Sequence, residues 1–140
     1  MLFKRKIYDK FLAWKTECAG KKALLVEGAR RIGKSTVVEE FAKNEYKSYI
    51  LIDFAKASSD VKEYFQLYLN DLDTFFMLLS VQYGVQLHER DSVIIFDEVQ
   101  LFPKAREAIK YLVADGRYDY METGSLISIR ENVKDIVIPS

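Results

Sequence analysis

Cysteine, histidine and net charge are all scarce in this chain of 140 residues. Cys18 is the single cysteine, so no intrachain disulfide can form, and a reducing cytoplasm is the expected compartment. His88 is the single histidine. It stands beside Glu89 and Arg90 with no cysteine cluster near it, which speaks against a zinc-type metal centre and leaves it a surface residue. Lysine plus arginine (21) balances aspartate plus glutamate (21), so no whole-chain field draws the protein to nucleic acid or to an anionic membrane. The short basic runs Lys4-Arg5-Lys6 and Lys21-Lys22 read as solvated surface. No apolar run approaches the roughly 18 residues of a membrane span. The charged start, followed by Ile7, Tyr8, Phe11 and Leu12, is not a secretory signal. Internal repeats and low-complexity linkers are likewise missing.

What is present is the composition of a globular protein, 49% apolar and 30% charged, in a length that suits one domain with a real core. Ile7, Tyr8, Phe11, Leu12 and Trp14 recur at helical spacing, and Gly20 marks the end of that helix. Ala23 to Val26 is a short unbroken apolar run, the pattern of a strand buried on both faces. A helix is expected from about Lys34, with Val37, Val38, Phe41 and Ala42 on one side. Tyr49 to Ile52 reads as a second buried strand. Two helices follow, one from Ser59 through Val61, Phe65, Tyr68 and Leu69, the next through Leu72, Phe75, Phe76 and Leu79 to a stop at Gly84. Val93 to Phe96 is a third strand, whose four apolar residues suggest the centre of the sheet. Pro103 suits the first turn of a further helix that ends at Gly116. Tyr118 to Thr123 is a fourth strand, and Asp135 to Ile138 a short fifth. Strands alternating with helices imply an α/β fold, with a mainly parallel sheet between two helical layers and ligands at the strands' carboxyl ends.

Two motifs fall at that edge. The first is Gly28-Ala29-Arg30-Arg31-Ile32-Gly33-Lys34-Ser35, two glycines separated by four residues and then lysine and a hydroxyl, the spacing of a P-loop or Walker A motif. Its glycines permit backbone angles at which successive N–H groups surround phosphate oxygens, and the helix it opens favours negative charge at its start. Lys34 supplies a positive charge to the β and γ phosphates of ATP, Ser35 an oxygen ligand to Mg²⁺, and Thr36 a second hydroxyl. Arg30 and Arg31 are open between phosphate, a partner and solvent.

The second motif is the apolar strand Val93-Ile94-Ile95-Phe96 ending in Asp97-Glu98. Beside a phosphate loop it reads as a Walker B element, with Asp97 holding Mg²⁺ and Glu98 orienting and deprotonating water aimed at the γ phosphorus. Thr123 and Ser125, at the end of the fourth strand, are expected to hydrogen-bond the γ phosphate or the attacking water. Gln100 and Asp53 lie near the same edge, where solvent is the simpler reading.

These residues, Gly28 to Thr36, Phe96-Asp97-Glu98-Val99-Gln100 and Thr123-Gly124-Ser125, together with the Arg5-Lys6-Ile7-Tyr8 segment, resemble the AAA_14 type of AAA ATPase of bacteria and archaea. The resemblance implies an AAA+ fold with strand order 5-1-4-3-2 and Thr123 or Ser125 in the sensor-1 role. It also implies a longer protein, so that residues 1–140 read as a single P-loop ATPase domain cut short at its carboxyl end. No residue matches an arginine finger or a sensor-2 arginine, and a second copy or another protein partner is expected to supply one.

Three functions compete. The first is Mg²⁺-dependent ATP hydrolysis, slow in isolation. The second is an ATP-dependent binding module that docks a protein partner without turnover. The third, phosphoryl transfer to a small acceptor, is disfavoured because Glu98 would activate water and no arginine-rich lid is visible. The lack of an Asn-Lys-x-Asp signature leans the base toward adenine.

Overall fold

The apolar runs lie side by side as a parallel sheet. The computed structural model describes residues 2–28, 33–125 and 133–137, with side chains from residue 5 up to residue 125. The elements are α1 (Leu2–Glu17), β1 (Ala23–Glu27), α2 (Lys34–Glu45), β2 (Ser48–Asp53), α3 (Ser59–Leu67), α4 (Leu72–Tyr83), β3 (Ser92–Asp97), α5 (Pro103–Asp115), β4 (Asp119–Gly124) and β5 (Val133–Val137). A turn of 3-10 helix, Val99–Leu101, follows β3.

The strand order is β2-β3-β4-β1-β5, and each neighbouring pair is parallel. This is the expected 5-1-4-3-2 read from the opposite edge. The fifth strand is present in the backbone, starting two residues earlier than its apolar run suggested. Period-two alternation sends Ala23, Leu25, Ile94, Phe96 and Tyr120 into a core with α3, α4 and α5, and Leu24, Val26, Val93, Ile95 and Met121 into a second core with α1 and α2. Among the described residues no helix is long and apolar enough to cross a membrane.

Helix ends follow local chemistry. Ser58 and Asp71 accept from the backbone N–H of Val61 and Thr74, capping α3 and α4. Gly84 and Gly116 close α4 and α5 in the left-handed conformation, at φ 63° and 84°.

Two expectations about the strands need correction. β2 is an edge strand, with Tyr49 and Leu51 only half-buried, because β3 is its single neighbour among the described residues. The central strand is β4 rather than β3. It is buried throughout despite carrying Asp119, Glu122 and Thr123, because these polar groups find partners inside the fold.

Candidate nucleotide site

The parallel order sets the carboxyl ends of β1, β3 and β4 next to one another, and the residues that follow them meet the start of α2. Gly28 follows β1 and donates its N–H to the carbonyl of Gly124 at 3.3 Å. Ala29, Arg30, Arg31 and Ile32 lie outside the described residues. Gly33 precedes α2 at φ 70°, a left-handed angle costly to a residue with a Cβ, and no side chain caps the helix behind it. The first amides of α2, at the positive end of a 12-residue helix, thus take no cap from the side chain of the residue before them.

Lys34 is 1% exposed, an unusual state for a lysine. Its Nζ donates to Ser125 Oγ at 3.2 Å and lies 3.5 Å from Glu98 Oε2. Ser35 Oγ donates to Asp97 Oδ1 at 2.6 Å. Thr36 is exposed on α2.

Asp97 and Glu98 are held by the backbone as well as by side chains. Asp97 ends β3, and its carbonyl accepts from the N–H of Phe54 at 3.0 Å. Glu98 takes a left-handed conformation, φ 56° and ψ 49°, which costs a non-glycine residue roughly 1–2 kcal/mol. This sharp turn diverts the chain from the strand and leaves the two carboxylates at the sheet edge. The N–H of Glu98 donates to Thr123 Oγ1 at 3.0 Å, and the Thr123 hydroxyl donates to Asp97 Oδ1 at 2.5 Å. Thr123, expected with Ser125 to hydrogen-bond the γ phosphate or the attacking water, is fully buried and directs its hydroxyl hydrogen bond to Asp97; the hydroxyl next to Lys34 is that of half-buried Ser125.

Of the two residues left to solvent by the sequence reading, Gln100 reaches the site and Asp53 serves a turn. Gln100 Nε2 donates to Glu98 Oε1 at 2.8 Å. Asp53, paired in register with Asp97, accepts from the N–H of Ala55 at 2.9 Å. His88 is half-buried, and its N–H donates to Ser92 Oγ. Sequence reasoning also passed over Glu122, beside Thr123 on β4. It is fully buried, 3.3 Å from Arg106 Nη1, and burial pushes its carboxyl up to about 7 against the pull of Arg106. Only the strand pattern could have drawn attention to it, as a charge in a stretch that must be buried.

The set can hold hard, oxygen-coordinated groups. Among the described residues no group of three or more His, Cys, Asp or Glu stands together. A dication here would draw only a few ligands from protein, the hydroxyl of Ser35 and the carboxylate of Asp97, which is the habit of Mg²⁺ in phosphate sites. The buried ammonium of Lys34 at the helix start suits phosphate oxygens.

A family model of an AAA domain, AAA_14, matches residues 20–135. The chain belongs to this AAA domain family. Membership implies nucleotide binding, and the matched span contains Gly28 to Thr36, Asp97-Glu98 and Thr123 to Ser125. Among solved structures, that of C. elegans PCH-2 is similar to this AAA domain at 16% identity with a TM-score of 0.49, over 99% of this chain and 38% of that one. The chain thus spans 38% of the length of that structure's chain. No curated protein is significantly similar to it in sequence.

Proposed function

We propose that this AAA domain binds ATP with Mg²⁺ and hydrolyses it. One observation carries the reading: Lys34, Ser35, Asp97, Glu98 and Ser125, drawn from three separate stretches of chain, meet through contacts of 2.6–3.5 Å at one edge of the sheet. In this reading Lys34 and the loop from Gly28 to Ser35 hold the phosphates, with Thr36 at the margin. Ser35 and Asp97 are the residues that would hold Mg²⁺, which when bound neutralises phosphate charge. Glu98 takes the proton of the attacking water, and Thr123 keeps Asp97 and the Glu98 backbone in place. Residues 1–140 are read as part of one such ATPase domain, and an arginine from a second copy or a protein partner completes the charge stabilisation, worth on the order of 10³-fold or more.

The test is phosphate release by purified protein, with ATP affinity measured by calorimetry. Glu98→Gln should lower turnover by roughly 100-fold or more while leaving the ATP dissociation constant within about twofold. Equal turnover in Glu98→Gln and wild type overturns the hydrolytic reading. The binding-module alternative draws support from the engagement of both Glu98 carboxylate oxygens, by Gln100 and by Lys34. Tight ATP binding with no phosphate release, even at high protein concentration, would favour it.

A further inference from the structure

We propose that Thr123 is a positioning residue for the dication, fixing the rotation of the Asp97 carboxylate; this rests on the reading of Ser35 and Asp97 as the residues that would hold Mg²⁺. The relevant place is where two strands part. The paired register of β3 and β4 ends at Phe96 beside Glu122. Beyond that pair β3 continues with β2, Asp97 beside Asp53, while β4 continues with β1, Thr123 beside Val26 and Gly124 beside Glu27. The side chain of Thr123 spans the two diverging ends.

The direction of each bond at that hydroxyl is forced. The backbone N–H of Glu98 can only donate, so Thr123 Oγ1 accepts from it at 3.0 Å. The hydroxyl proton is then given to Asp97 Oδ1, at 2.5 Å. Ser35 Oγ donates to the same oxygen at 2.6 Å, and the Asp97 carbonyl accepts from the N–H of Phe54 at 3.0 Å. Asp97 is thus tied to α2 by Ser35, to β4 by Thr123 and to the residue after β2 by its backbone.

A single donor would leave the carboxylate free to swing about one bond. Two donors on Oδ1, from separate stretches of chain, settle its rotation and with it the place of Oδ2. The two hydroxyls differ in what else they do. Ser35 opens the helix behind the phosphate loop, and its oxygen would itself serve Mg²⁺. Thr123 is fully buried on β4 and reaches the dication only through Asp97. Its branched side chain has few rotamers, which suits a brace. Partners of this kind, which orient a metal ligand without being one, commonly govern metal affinity by about 10- to 100-fold. The same hydroxyl also holds the N–H at the left-handed turn of Glu98, so one side chain sets both the metal carboxylate and the turn that follows it.

The experiment measures ATP affinity by calorimetry with Mg²⁺ and with the metal removed by EDTA, beside the urea midpoint, in wild type, Thr123→Val and Thr123→Ser. Valine keeps the branched shape without the hydroxyl, and serine keeps the hydroxyl. The readout is the ratio of the metal-free to the Mg²⁺ dissociation constant, from which a general loss of structure divides out. In Thr123→Val the metal-free constant should stay within about twofold of wild type while the ratio falls about 10-fold or more; Thr123→Ser should keep the ratio within about threefold. Should valine unsettle the fold, Thr123→Ala and Thr123→Ser, which differ by the hydroxyl alone, make the same comparison. A wild-type ratio in Thr123→Val overturns the positioning role and leaves Ser35 and Asp97 as metal residues. A ratio lost equally in Thr123→Ser overturns it too, because the hydroxyl would then not account for the fall. ATP affinity indifferent to Mg²⁺ in wild type removes the reading of Ser35 and Asp97 itself.

Discussion

At the scale of single residues, the most exacting placement is Glu122, a fully buried acid in the middle of the central strand. Burial raises its carboxyl from the ordinary 4.5 to about 7, with Arg106 pulling the other way. Below pH 4.5 both folded and unfolded chains hold the proton and the group takes nothing from stability. Between pH 4.5 and 7 the unfolded chain releases it while the folded chain keeps it, so stability falls as pH rises. Above about 7 the loss is complete, on the order of 3 kcal/mol. Glu122→Gln keeps the shape and cannot ionise. It should match wild type within about 1 kcal/mol near pH 4.5 and exceed it by about 2–3 kcal/mol at pH 8. Urea midpoints of both proteins at the two pH values measure this, and a difference that does not change with pH would refute it. Glu122 also marks the limit of reading a site from sequence. Gly28, Lys34, Ser35, Asp97 and Glu98 were legible because phosphate and metal chemistry constrains their type and spacing together. The Gln100 contact and the turning of Thr123 toward Asp97 were not, since both depend on the backbone leaving β3 in a left-handed turn that no residue in Asp97-Glu98-Val99 announces.

At the scale of elements, the less visible joints lie at the opposite, amino end of the sheet. Tyr46, immediately after α2, donates its hydroxyl to Asp119 Oδ2 at 2.5 Å, and Asp119 is the first residue of β4. Arg90, before β3, binds the other oxygen of the same carboxylate. One buried acid thus joins a helix end, a loop and the central strand. Burial, and then the facing Asp119, hold the Tyr46 phenol well above its ordinary pKa, so it remains a donor throughout the working range. Tyr46→Phe removes one of two charge-assisted bonds from Asp119 and should cost about 2 kcal/mol. The check is the urea midpoint at neutral pH with the slope of the transition unchanged; a loss under about 0.5 kcal/mol would mean that Arg90 alone satisfies the acid. This joint explains why β4 was hard to rank from sequence. β1 and β3 announced themselves as unbroken apolar runs, and Gly84, Pro103 and Gly116 punctuated their helices as glycine and proline should. β4 carries three polar side chains, and its central position follows from partners 29, 73 and 16 residues away, at Arg90, Tyr46 and Arg106. The reverse error befell Tyr49-Ile50-Leu51-Ile52, where apolar composition suggested burial on both faces of what is an edge strand.

At the scale of the whole molecule, the sheet divides two cores, and the one beneath α3, α4 and α5 is built around aromatic rings. Phe65 on α3 is fully buried at its centre. Its ring meets Phe75 of α4 at 5.0 Å, Phe96 of β3 at 5.5 Å, Phe54 beyond β2 at 5.8 Å and Phe102 before α5 at 5.8 Å, all at steep angles. Such edge-to-face pairs add about 0.5–1.5 kcal/mol each to area burial. These contacts join α3 to α4, to β3 and to the loop residues that follow β2 and precede α5, so the loss of this ring should be felt by the fold as a unit. Phe65→Ala leaves a cavity among rigid rings that cannot collapse into it, and should cost about 3–5 kcal/mol. A domain of this size commonly has about 5–15 kcal/mol in all, which would leave the variant folded but marginal. Phe65→Leu fills most of the space and loses only the ring geometry, so about 1–2 kcal/mol is expected. Guanidinium unfolding followed by both near-ultraviolet and far-ultraviolet circular dichroism distinguishes the outcomes. Coincident transitions shifted to lower denaturant by these amounts fit a single cooperative core. A Phe65→Ala protein that loses aromatic signal while keeping its helical signal would instead show that the layer of α3, α4 and α5 can melt away from a sheet still held by α1 and α2.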